Sequence, residues 1–168
     1  MFSTLPLFYK RVLHLPEYKI GLLMTLNGLL IAVFEMVLVF KMEGKRENLF
    51  YIVYGVCCVG LSYILLDLLP LSIFLPFFCM LLATMGEILA MPFMNSFWIS
   101  RTSASNRGQY AGLYTIAWST AQVIGPSAGA EVAQRFGFNI LWWIVSGVCV
   151  VAAMGYRRMW QTKTPAYE

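Results

Sequence analysis

GQYAGLYTIAWSTAQVIGPSAGA, residues 108–130, carries no charged side chain. A helix needs roughly 20 apolar residues to cross the hydrocarbon core of a bilayer, so the run is long enough. Yet it ends in Gly125-Pro126 and Gly129, the residue types that least favour a helix in water. In a membrane both are tolerated. Small residues let a neighbouring backbone approach, and adjacent helices or water satisfy the carbonyl that a proline leaves free. Ala117, Ala121, Gly125 and Gly129 recur every fourth residue, which places them on one slowly turning stripe. Pro126 cannot donate to the carbonyl of Gln122 and crowds that turn. The stretch therefore reads as a bent, closely packed membrane helix, with a plain packing kink as the simpler alternative.

The rest of the chain supports a membrane protein. Of its 168 residues 60% are hydrophobic and 12% are charged, whereas soluble domains run about 45–50% apolar and about 25% charged. Five segments are long and apolar enough to span: Ile20–Phe40, Leu49–Leu66, about Leu71–Trp98, Gly108–Ala130 and about Phe138–Tyr156. The third holds Pro70, Pro76 and Pro92 and is expected to be kinked or tilted. FSTLPLFY, before the first span, reads as the end of a further helix. The expected fold class is thus all-α, a polytopic integral membrane protein.

Orientation follows from basic residues, which are retained in the cytoplasm. Five spans put Lys41, Lys45, Arg46, Arg101, Arg107, Arg157, Arg158 and Lys163 on the side of the C-terminus, and Lys10, Arg11, Lys19 and Arg135 on the other. The C-terminus is therefore expected in the cytoplasm. Trp98, Trp142, Trp143, Tyr156 and Trp160 lie near span ends and read as interface anchors.

Chemistry inside the spans is sparse. Cys57, Cys58, Cys79 and Cys149 all lie in apolar runs and read as small hydrophobes. With one histidine, His14, and no clustered cysteines, a metal site or a histidine-based catalytic triad has little to build on. No enzyme activity, metal, cofactor or nucleic-acid partner is expected. Two acids stand out, Glu35 and Glu87, because a charge at mid-membrane costs roughly 2.5–3.5 kcal/mol and usually marks an ion or substrate path. Glu87, Met91, Asn95 and Trp98 share a helix face. Pro92 frees the carbonyl of Ile88 in the same turn, so that face makes a candidate cavity wall. Asn27 and Glu35 are about 80° apart by helical geometry and face the same cavity on this reading. Gln122 is the corresponding polar group on the fourth span. The alternatives stay open: snorkelling for Glu35, a protonated interhelical hydrogen bond for Glu87, and interhelical bonds alone for Asn27 and Gln122.

These residues resemble a known family. Arg107-Gly108-x-Tyr110-x-Gly112, continuing as Gly112-x8-Ala121-x3-Gly125-Pro126-x2-Gly129-Ala130, is similar to the motif G-x8-G-x3-G-P-x2-G-G of major facilitator superfamily antiporters, with alanine at two glycine positions. That motif belongs to the fifth helix of the family fold, and the eleventh is its pseudo-repeat. Gly86-Glu87-x4-Pro92 looks like the tenth helix in several branches, and also resembles proton-coupled oligopeptide transporters. Gly44-Lys45-Arg46 resembles the end of the basic loop motif G-x3-D-[RK]-x-G-[RK]-[RK]. Here the sequence departs from the family: Lys41 replaces the acid and Val37 the first glycine, so the family's gating ion pair is not carried over.

The resemblance implies the C-terminal six-helix bundle of such a transporter, with the end of helix 7 and helices 8 to 12. It implies proton-coupled secondary transport of a small solute by alternating access, in a bacterial inner membrane. The partners would be the lipid bilayer, the solute and an N-terminal half from the same chain or another. Glu87, Glu35, Asn27, Asn95 and Gln122 are the candidates for solute or proton contact. Ala117, Ala121, Gly125, Pro126, Gly129 and Pro92 would serve packing and bending. Gly44, Lys45, Arg46 and Arg107 would lie at the cytoplasmic loops or gate, where Arg107 pairs with an acid or acts as a topology signal. A membrane scaffold, a transporter remnant and a membrane-embedded enzyme are the competing classes. The acids Asp67 and Glu131, expected on separate outward loops, give the last of these little support.

Overall fold

The computed structural model describes residues 4–69 and 74–162. Six helices follow in order: α1 (Thr4–Arg11), α2 (Glu17–Met42), α3 (Asn48–Leu68), α4 (Leu75–Ile99), α5 (Arg107–Phe136) and α6 (Phe138–Gln161). Helix is the form these apolar runs must take in lipid, since each backbone N–H and C=O then finds its partner within the segment. The chain is thus all-helical among the described residues, as a polytopic membrane protein requires.

Four helices, α2, α3, α4 and α6, combine the length and apolarity needed to cross a membrane. The expected span Gly108–Ala130 lies within α5, which is long, at 30 residues, but less apolar than the other four. Its sequence gives many positions to glycine, alanine, serine, threonine and glutamine. It also runs on past Ala130, so Glu131 is not on a loop but pairs with Arg135 one turn later. Asp67 likewise lies within α3 rather than on a loop. Gly137, at φ +86°, is the only residue between α5 and α6. That left-handed conformation is open to glycine at little cost, and it lets the chain reverse in one residue.

The prolines play two different parts. Pro76 sits in the first turn of α4, where its missing N–H has no helical partner to lose. It starts that helix rather than kinking it. Pro70, and with it the expected start of the third span at Leu71, lies outside the described residues. Pro92 and Pro126 stand inside α4 and α5, and neither interrupts its helix.

Packing runs round a ring. α3 is flanked by α4 and α6, α4 is followed by α2, α6 by α5, and the short α1 touches both α2 and α5. At one end Phe8 and Tyr9 of α1 enter a core with Tyr63, Leu66, Cys79 and Trp142. At the other end Leu49, Tyr51, Ile52 and Phe93 form a second cluster. Trp142 is a correction to the expected aromatic belt. It is 1% exposed and stacks on Tyr63 at 5.2 Å, with Phe8 edge-on at 5.3 Å. Trp143, by contrast, is exposed and donates to Asp67 at 2.9 Å.

The closest helix approach is not on α5. A Cβ added to Gly55 of α3 would lie 2.6 Å from the carbonyl oxygen of Gly86 and 2.7 Å from the backbone nitrogen of Ala90. One added to Gly60 would lie 2.9 Å from the Cβ of Cys149 on α6. On α5, Gly125 has nothing within 4 Å, and only Gly129 has near neighbours, in Thr4 and Leu141. Ala117 and Ala121 are exposed, and no residue of α5 is buried. The stripe is there, but along most of its length no helix of this chain lies against it.

Gly55→Ala therefore forces backbone from backbone, and overpacking of this kind costs typically about 1–3 kcal/mol. Thermal unfolding of the purified chain in detergent should show a clear drop in midpoint for Gly55→Ala. Gly125→Ala, which meets open space, should stay within error of the parent. Equal behaviour of the two variants would contradict the assigned packing.

Candidate functional site

Inside the ring, near the middle of α2 and α4, lies a group of buried polar side chains that joins these two helices. Asn27, 7% exposed, donates from Nδ2 to Oγ1 of Thr84 at 2.7 Å. The same Nδ2 reaches Oε2 of Glu87 at a longer 3.4 Å. Thr84, 1% exposed, donates its own hydroxyl to the carbonyl oxygen of Met80 at 2.8 Å. The directions are consistent. Thr84 spends its proton on the backbone and accepts from Asn27, so both N–H bonds of the amide are committed, one of them to the carboxylate.

Helical spacing creates this arrangement. Thr84 and Glu87 are three residues apart and so lie on one face of α4. The tight seat of Gly86 against α3 fixes how α4 is rotated, and that rotation turns the Thr84–Glu87 face toward α2. The cluster borders a cavity lined also by Leu5, Tyr9, Met24, Ser62, Tyr63 and Met80. The space within it open to water is about 30 Å³, room for about two waters where a single one takes roughly 10–15 Å³ on this measure. No lysine, arginine or histidine is among its lining residues.

The other candidates are placed elsewhere. Glu35 is half-buried on α2, but eight residues from Asn27 is about 12 Å along the helix, and it does not join the cluster. Asn95 is exposed and accepts from Nε1 of Trp98 at 3.2 Å, while Trp98 stacks on Tyr114 of α5 at 5.8 Å. Gln122 is exposed on α5. The wall expected from Glu87 to Trp98 is thus divided. Glu87 belongs to the interior, and Asn95 with Trp98 belongs to the α4–α5 seam.

At the far end of the bundle, Gly44 takes φ +76° in the turn after α2, and Lys45 and Arg46 are exposed. The guanidinium of Arg46 lies over the ring of Phe50 at 5.6 Å. Arg107 is exposed at the start of α5. Among the described residues the ion pairs are Lys10–Glu17 and Glu131–Arg135, so the expected pairing of Arg107 with an acid is not seen here. The four cysteines are free thiols, and no group of metal-ligating side chains occurs among the described residues.

Sequence reading missed Thr84 and the Gly55–Gly86 contact. Both had a signal: Thr84 stands one helical turn before Glu87, and Gly86-x3-Ala90 has the same small-residue spacing as the stripe on α5.

A ring of membrane-length helices around a small polar interior defines a polytopic helical membrane protein. The chain belongs to the Major Facilitator Superfamily, whose family model matches residues 1–167. No curated protein and no solved structure matches it. Family membership makes it a membrane transporter in general, and places it in lipid as a multi-pass protein.

Interhelical hydrogen bonds in membranes average about 0.6 kcal/mol in mutant cycles, with a maximum near 1.7. A cycle of Asn27→Leu and Thr84→Val, read by denaturant unfolding in detergent micelles, should give a coupling energy in about that range. Simple additivity of the two substitutions would mean that the bond contributes nothing.

Proposed function

We propose that this chain is the C-terminal portion of a secondary transporter that moves a small solute by alternating access, coupled to protons through Glu87. The observation that carries the coupling is the Asn27–Thr84–Glu87 cluster. Glu87 stands at the midpoint of α4, where an ionised side chain is most costly. No basic side chain lines its cavity, so a proton is the simplest means of neutralising it. Asn27 donates to the carboxylate and holds its orientation through both states. The cavity admits water but is too small for an organic solute, which favours proton coupling over solute contact as the role of Glu87.

The solute would then bind outside this bundle, between it and an N-terminal half supplied by the same chain or by a partner. The uncovered polar and small residues of α5, Gln122 among them, and the Asn95–Trp98 seam are the surfaces suited to that contact. Pro92 and Pro126 would permit the two helices to flex as the halves rock. Glu35 lies nearer the basic end, on a path by which a proton would leave. The seven basic residues at that end among the described residues support a cytoplasmic C-terminus, in the inner membrane of a bacterium.

The test uses membrane vesicles carrying the protein as its host makes it, loaded with a pH-sensitive dye. A panel of small solutes (peptides, sugars, amphipathic drugs) is added in turn. A transported solute should move protons with the native protein, and Glu87→Gln should lower that proton movement by about tenfold or more, a typical scale for removing a proton-transfer group. Undiminished proton movement in Glu87→Gln would overturn the assignment. A native protein that moves protons with none of the panel, and that co-purifies with another membrane protein, would favour an assembly role.

A further inference from the structure

We propose that the first turn of α3 and the last turn of α6 form a binding site for the phosphate of an anionic phospholipid. The proposal rests on membrane embedding alone and does not depend on the transport reading. The two ends of the bundle differ in charge. Lys41, Lys45, Arg46, Arg101, Arg107, Arg157 and Arg158 stand at one end with only Glu43 and Glu47 among the described residues, and all nine are exposed. None of these nine forms an ion pair with another described residue. At the opposite end Lys10 and Arg135 are both paired with acids.

Two guanidiniums at that end lie over aromatic rings; Arg101 covers Phe97 at 5.2 Å, and the other pair continues into a second helix. Arg46 lies over the face of Phe50, and Phe50 meets Trp160 of α6 edge-on at 5.7 Å and Tyr54 at 4.5 Å. A guanidinium stacked on a ring is held in plane and keeps its edge N–H donors for a phosphate. Arg157 stands one helical turn before Trp160 and on the same face of α6, so a second element brings a cation to the side of the bundle where Phe50 meets Trp160, and Arg158 is exposed at the same end. Glu47, the acid nearest in sequence, borders a shallow pocket with Phe97 and Ser100, on the α4 side of α3 rather than the α6 side.

A lipid suits the site better than a free anion. Phe50, Tyr54, Cys57 and Leu61 fall on one stripe of α3. Tyr54 and Leu61 are 54% and 48% exposed, so an apolar track leads from the cations toward the membrane interior. Trp and Tyr at the level of the cations match the headgroup region. Clusters of basic residues beside a membrane helix recognise anionic lipids, with each residue contributing about fivefold in affinity.

The test is native mass spectrometry of the full chain released from micelles containing cardiolipin, phosphatidylglycerol or phosphatidylcholine. The two anionic lipids should stay bound and phosphatidylcholine should not. R46Q/R157Q/R158Q should lower retention of the anionic lipids by about tenfold or more, with helicity by circular dichroism unchanged. R101Q/R107Q, which removes two cations from the same end but from the connection after α4 and the start of α5, should keep the parent's retention. Phe50→Leu, which removes the ring under Arg46, should lower retention with no change in charge. Equal loss in R101Q/R107Q would mean diffuse charge and no site. Equal retention of phosphatidylcholine, or release of the lipid by millimolar inorganic phosphate, would overturn a lipid site.

Discussion

Two glycines, Gly55 on α3 and Gly86 on α4, let the backbones of these helices come so close that neither position has room for a methyl group. In lipid there is no hydrophobic drive to bring helices together, because the tails are as apolar as the side chains. Close backbone packing supplies the attraction instead, and the shape of the contact determines which faces meet. α3 repeats the device toward α6, where Gly60 seats Cys149 and the hydroxyl of Ser146 donates to the carbonyl of Gly60 at 3.0 Å. One helix thus sets the position of both neighbours.

The polar interior depends on that contact. Gly86 is fixed against α3, and Glu87 and Thr84 stand beside it in sequence, with Thr84 meeting Asn27 of α2. A small rotation of α4 would carry Thr84 off Asn27, since a residue on a helix sweeps its side chain through an arc while the glycine seat moves little. The 2.7 Å bond between Asn27 and Thr84 is therefore the consequence of a packing choice made elsewhere. It is also one of the contacts that hold α2 in the ring, on a helix whose fully buried residues are Ile20 and Asn27. Near its other end Tyr51 of α3 adds a second polar contact, donating to the carbonyl oxygen of Met42 at 3.0 Å.

Much of this was legible in the sequence because lipid imposes simple rules. Runs such as Leu49–Leu66 admit only a helix, and their ends are marked by charge and by turn residues such as Gly44. That Glu87 and Asn27 would be paired was legible for the same reason, since polar groups at that depth need a partner. The identity of the partner was not. Thr84 is a common membrane-helix residue that usually bonds its own backbone, as it also does here with Met80, and nothing in one sequence says which helix lies opposite. Trp142 shows the limit differently. Its position near a span end fits an interfacial anchor, but the short α1 folds over it and Phe8 covers its ring, a tertiary event invisible to any local pattern. On α5 the small-residue stripe reads as a close-packing surface, yet along most of its length the structure shows no neighbouring helix. Ala117, Ala121 and Gly125 are exposed, with no helix among the described residues covering them.

That uncovered stripe and the unpaired basic end have a common physical meaning. On the readings proposed above, each is a surface for something other than this bundle. For α5 the surface is small, weakly polar and only modestly apolar, which suits another protein helix better than lipid tails. Small side chains forfeit dispersion contacts with disordered chains but gain them from a close, rigid partner. For the end of α3 and α6 the surface is cationic and aromatic, which suits a headgroup. The two faces lie on opposite flanks of α6 in the ring, since α5 packs on one side of it and α3 on the other. A protein partner on α5 would therefore leave the cationic seam of α3 and α6 open to the bilayer, so one bundle can engage a second helical unit and an annular lipid at the same time.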